Sequence, residues 1–161
     1  MKTKKLIIID GYNILNAWEK YKPFLKLSFE NARQELIYDM GEYSKLIGIA
    51  YQIKDDILDF TSNSKDLGKE THKDFQNGIY TFPVIMALKN SKSKEVLAPI
   101  MKKNREENLS LEEIIQLEKY IISFGGIEAS YKKIETLSNT NIQLIKELGE
   151  NPEINIYLEK I

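Results

Sequence analysis

The sequence predicts a mainly α-helical protein preceded by a single N-terminal β-strand. Three observations lead there. Apolar residues recur with a helical period over segments too long to be strands, the longest running from Ser28 to about Phe60. Start and stop signals for helices punctuate the second half, such as Ser110-Leu-Glu-Glu113 and the Gly125-Gly126 pair. The only unbroken β-branched run read as a strand is Leu6-Ile7-Ile8-Ile9, closed by Asp10 and Gly11.

A lone strand of that kind lacks partners for its backbone groups. It therefore implies strands from another chain, or an origin in a larger α/β domain. Pro23 breaks the stretch that follows, and Ser28 is placed to N-cap the long helix. Residues 61–78, TSNSKDLGKETHKDFQNG, are polar and glycine-punctuated, which reads as a loop with at most short helical turns. Helical patterns return at Ile79–Lys89, with Pro83 in the first turn, and at Ser93–Lys103. The Ser110/Glu113 capping box opens a helix that ends at Gly125-Gly126. A last apolar stripe, Ile127, Tyr131, Ile134, Ile145 and Leu148, stops at Gly149. The whole reads as one strand and then about six helices, with no internal repeat and no low-complexity tract.

Bulk properties exclude several classes. A chain of 161 residues suits one domain with a modest core. With 42% apolar and 29% charged residues the balance is that of an ordinary soluble protein. A formal net charge of −1 gives no reason to expect nucleic acid or acidic lipid as partner. The absence of cysteine removes disulfides and thiolate metal sites. MKTKKLIIID has too short an apolar stretch for a signal peptide, and nothing approaches a membrane span. The expectation is a soluble, cytoplasmic protein.

The most informative stretch is Gly48-Ile-Ala-Tyr-Gln-Ile-Lys-Asp-Asp-Ile-Leu-Asp59. On a helix, Gln52, Asp55, Asp56 and Asp59 fall within an arc of about 100°. Ile49, Ile53, Ile57 and Phe60 group on a different side, and Ile47 and Leu58 on a third. Side chains three and four apart lie about 5–6 Å from each other, so ionised carboxylates there repel. Three of them on a largely apolar helix are costly unless a cation compensates. Magnesium suits the task, because it takes one or two carboxylates and completes its octahedron with water and phosphate oxygens. An acidic strip facing solvent is the alternative, and a bare DDxxD spacing does not decide between them. In the following loop Lys69 brings a cation suited to phosphate and Asp74 a further carboxylate. His72, the only histidine, sits among polar residues and is given no role.

That stretch, followed by Leu67-Gly-Lys69, Asp74-Phe75, Asn77-Gly78 and Thr81-Phe-Pro-Val84, resembles the trans-polyprenyl diphosphate synthase family. The similarity extends over residues 43–161 and includes Gly126-Ile-Glu-Ala129. It implies part of an all-helical isoprenoid synthase bundle and the transfer of a prenyl group from an allylic diphosphate. It further implies that Asp55 and Asp59 ligate Mg2+, with Asp56 as a further ligand or just behind them. Gln52 and Lys69 would contact the allylic prenyl diphosphate, and Asp74 would support the metal site. The family's first aspartate-rich motif and its isopentenyl diphosphate site are missing from this sequence, and Ile79 stands where many members carry lysine. The resemblance thus implies half of a metal site, weak binding by the chain alone, and little or no catalysis without a homo- or hetero-oligomeric partner supplying the rest.

Residues 1–42 resemble something different. Leu6-Ile-Ile-Ile-Asp10-Gly-Tyr-Asn13-Ile14, with Ala32-Arg33-Gln34-Glu35-Leu36, is similar to the start of a bacterial NYN domain, a PIN-like ribonuclease fold. There Asp10 would be one of several acidic metal ligands with Asn13 beside it, a vestigial site since the later acids are absent. Asp-Gly as a routine turn is the plain alternative. The changeover near Gly41–Gly48 is expected to mark a fusion or truncation. Three functions follow: a prenyltransferase-related protein, an NYN-type RNA-binding or RNA-cleaving protein, and a non-catalytic helical interaction module.

Overall fold

The computed structural model describes residues 10–61, 78–107 and 109–148. Among them are seven α-helices, one 3₁₀ turn and no strand. The helices are α1 (Gly11–Ala17), α2 (Lys22–Leu27), α3 (Phe29–Thr61), α4 (Phe82–Ala87), α5 (Ser93–Glu106), α6 (Leu111–Ser123) and α7 (Gly126–Leu148). The strand expected at Leu6–Ile9 lies outside the described residues. The chain divides into two units, one of residues 1–47 with 139–161 and one of residues 48–138, so α3 and α7 each contribute to both.

In the first unit, α1, the 3₁₀ turn Glu19–Tyr21 and α2 lie against the N-terminal half of α3. Ile14, Leu15, Trp18 and Tyr21 form a core with Ala32 and Leu36, and Leu144 of α7 packs on it. The sequence pattern predicts only a turn and a broken stretch over residues 11–27. Helices this short carry too few apolar repeats to register, and tertiary burial stabilises them. A polar network adds to it: Asp39, 4% exposed, accepts hydrogen bonds from Tyr21 Oη (2.9 Å) and Lys20 Nζ (2.8 Å). Burial first, then the hydrogen bond to Asp39, pushes the Tyr21 phenol far above its ordinary pKa of 10.0. Asn141 Nδ2 donates to the Tyr43 carbonyl, tying α7 to α3 in this unit.

Ser28 caps α3 as expected, its Oγ accepting from Asn31 N–H at 3.0 Å. Asp10 caps α1. Its Oδ1 accepts from Asn13 N–H at 3.1 Å and its Oδ2 from the Asn13 side-chain amide at 2.8 Å. The pair that resembled a nuclease site is thereby engaged in starting a helix.

The second unit is built on Phe60, Val84, Ala87, Leu97, Leu109, Ile114, Leu117 and Ile121, all buried. The expected capping box is present: Ser110 Oγ accepts from Glu113 N–H while Glu113 accepts from Ser110 N–H. Lys103 also bonds Glu113, at 2.6 Å. α6 stops at Gly125, whose φ of +75° an L side chain resists. Gly126 has a different reason to be glycine, since a Cβ there would collide with the Pro83 carbonyl. α4 is shorter than the Ile79–Lys89 pattern. Thr81 is extended, Pro83 confines the start to the first turn, and after Ala87 the chain closes with Lys89 N–H to Met86 C=O.

Candidate functional site

The acidic turn occupies the C-terminal third of α3. Its orientation follows from the apolar side: Ile53, Ile57 and Phe60 are 3%, 1% and 2% exposed, and Phe60 enters the second unit's core. Fixing that stripe places the acidic strip beside it on the helix, partly covered at one edge and open to solvent at the other. Gln52 and Asp55 are exposed, whereas Asp56 and Asp59 are half-buried. Asp59 Oδ2 is shut off from solvent.

This corrects one expectation. The pattern predicts a helix apolar over much of its circumference, on which three carboxylates carry a burial cost, with a solvent-facing strip as the alternative. Ile49 and Leu58 instead stay about two-fifths exposed and Tyr51 is half-exposed, so the strip is flanked by solvent-facing apolar side chains. Burial charge cost applies to Asp59 and not to Asp55.

Asp56 is bound on both oxygens. Gln52 Nε2 donates to its Oδ1 at 2.9 Å, and the backbone N–H of Phe82 donates to its Oδ2 at 2.8 Å. Sequence reading missed the second contact. Thr81-Phe82-Pro83 belongs to the motif that resembles the synthase family, but no local pattern announces a bond between residues 26 positions apart. The structure thus brings Gln52, Asp55, Asp56 and Asp59 together on one turn and a bit of helix. Lys69 and Asp74 lie outside the described residues, as does His72. Asp10 and Asn13 belong to the other unit. A groove of about 430 Å³ in the first unit, lined by Leu36, Ile37 and Met40 among others, contains none of these residues.

The donor set suits magnesium. Among the described residues no three or more acidic or histidine side chains gather into a ready-made metal cage. What the turn offers is two carboxylates, Asp55 and Asp59, one helical turn apart. An oxygen-only pair of that kind, leaving room for water and phosphate oxygens, is the usual protein contribution at a magnesium–phosphate site.

An all-helical chain with an aspartate-rich turn on the longest of its described helices fits the isoprenoid synthase fold. The polyprenyl synthetase family model matches residues 24–118, and the chain belongs to that family. A geranylgeranyl pyrophosphate synthase of Dictyostelium discoideum is 29% identical over 79% of this chain and 39% of its own. Heptaprenyl diphosphate synthase component 2 of Bacillus subtilis is 36% identical over 63% of this chain and 30% of its own. Among solved structures, a geranylgeranyl pyrophosphate synthase from Bacteroides thetaiotaomicron superimposes with a TM-score of 0.61 at 28% identity, over 82% of this chain and 40% of that one. The chain thus spans well under half the length of these relatives. The family match begins at residue 24, inside the segment that resembled an NYN domain. No helix among the described residues is long and apolar enough to cross a membrane.

Proposed function

We propose that this chain supplies the second aspartate-rich half of a prenyl diphosphate synthase site. Asp55 and Asp59 hold Mg2+, Gln52 and Lys69 contact the diphosphate of an allylic substrate, and Asp74 supports the metal site. Bound magnesium would neutralise charge on the leaving diphosphate. The observation carrying this reading is the pair Asp55 and Asp59, one turn apart on a strip anchored by buried Ile53 and Ile57, inside the family-matched segment. In this reading the transferase is incomplete as a stand-alone catalyst, and a different chain supplies the first aspartate-rich motif, which a second copy of this sequence does not carry. The exposed Ile49, Tyr51 and Leu58 beside the acidic strip fit a surface that such a partner covers. A relative described as one component of a synthase fits it too. Residues 24–42 belong with the synthase-like part, which moves its start upstream of residue 43. The protein is cytoplasmic.

The test is calorimetry of the whole chain with a non-hydrolysable farnesyl diphosphate analogue, with and without Mg2+. Binding that requires magnesium, and that falls at least about tenfold in Asp55→Asn/Asp59→Asn, supports the reading. The same heat with and without magnesium, or an unchanged double variant, rejects it and favours a non-catalytic interaction module.

A further inference from the structure

The first N–H groups of a helix have no partner within it. At α4 the N-cap residue, Thr81, makes no side-chain cap bond although its hydroxyl is buried. The N–H of Phe82 is instead satisfied from another helix, by Asp56. At the same turn, Gly126 at the start of α7 stands so close to the Pro83 carbonyl that no Cβ fits. The first turn of α4 is therefore held between the acidic turn of α3 and the start of α7. Pro83, Val84 and Ala87 are buried behind it. Gln52 holds the remaining oxygen of Asp56, which fixes the carboxylate plane for the cap.

We propose that Asp56 is a positioning residue, not a magnesium ligand: by capping α4 it sets the rotation of the α3 turn that presents Asp55 and Asp59. This rests on the function proposed above. Asp59 lies four residues from Asp55 and three from Asp56, so spacing admits either beside it; what sets Asp56 apart is that both its oxygens already accept hydrogen bonds. Turning Asp56 toward a cation shared with the other two would forfeit the Phe82 and Gln52 bonds together. An asparagine retains an acceptor oxygen for Phe82 and lacks the charge a metal ligand needs, so the two roles separate cleanly.

The experiment has two readouts on the whole chain. Amide hydrogen exchange at Phe82 stays within about threefold of the parent in Asp56→Asn and rises at least about tenfold in Asp56→Ala. Calorimetry with Mg2+ and inorganic pyrophosphate leaves Asp56→Asn within about threefold of the parent affinity, while Asp55→Asn and Asp59→Asn each lose at least about tenfold. The proposal is overturned if Asp56→Asn loses as much affinity as Asp55→Asn, or if Phe82 exchange in Asp56→Ala matches the parent. Asp56→Asn is the deciding variant should Asp56→Ala not fold. If Asp55→Asn and Asp59→Asn are silent while Phe82 exchange still depends on Asp56, the magnesium reading fails and the tether stands.

Discussion

Asp39 illustrates how single side chains organise the first unit. Its carboxylate is buried but not stranded, because Tyr21 and Lys20 both donate to it. Tyr21→Phe removes one of two donors while Lys20 still reaches both oxygens, at 2.8 and 2.7 Å, so the cost is that of one buried hydrogen bond, about 1 kcal/mol. Denaturant unfolding checks this, and an unchanged midpoint contradicts it. The same contact gives a pH dependence. The folded phenol titrates well above its ordinary 10.0, so its stabilisation is complete below pH 10 and is lost as pH rises beyond it. Tyr21→Phe therefore shows a smaller loss of stability between neutral pH and pH 11 than the parent chain. At Gly126 the constraint is steric. Gly126→Ala pushes a methyl into the Pro83 carbonyl and costs about 1–3 kcal/mol through displaced backbone, read as a lowered thermal midpoint.

Among the elements, α6 tests local signals most simply. Ser110→Ala removes the reciprocal cap and costs about 1 kcal/mol. The Lys103 hydrogen bond, followed by those from Ser110, lowers the Glu113 carboxyl from 4.5 to about 2. A depressed carboxyl stabilises the fold above its unfolded pKa and loses that contribution as pH falls through the folded value. The protection of first-turn α6 amides, relative to their intrinsic exchange rate at each pH, therefore falls between pH 4.5 and pH 2, and a flat protection profile contradicts the assignment. The helices legible in the sequence, α3 to α7, repeat apolar residues at helical spacing, and local signals mark some of their ends: Ser28 for α3, Ser110 for α6, Gly125 for the end of α6. Those missed, α1, the 3₁₀ turn and α2, depend on Trp18 and Tyr21 finding Ala32 and Leu36 across the chain. Residue spacing does not encode that meeting.

For the whole molecule, residue types and spacing sufficed to find the acidic strip, because 100° per residue places Gln52, Asp55, Asp56 and Asp59 together on any helix. They did not distinguish the three aspartates. That difference arises from Phe82 reaching Asp56 and from the buried stripe that leaves Asp55 exposed and Asp59 half-covered. Nor did the pattern foresee Ile49 and Leu58 in solvent, because periodicity reports which residues share a side and not whether anything covers it. In the proposed function a partner covers such faces.

The most direct test of the central claim, that this turn binds a divalent ion carrying a diphosphate, is paramagnetic NMR. Isotope-labelled chain is titrated with Mn2+ in place of magnesium, in the presence of inorganic pyrophosphate. The account predicts amide broadening centred on Gln52–Asp59 that disappears in Asp55→Asn/Asp59→Asn. Broadening centred elsewhere, or unchanged in that double variant, contradicts it.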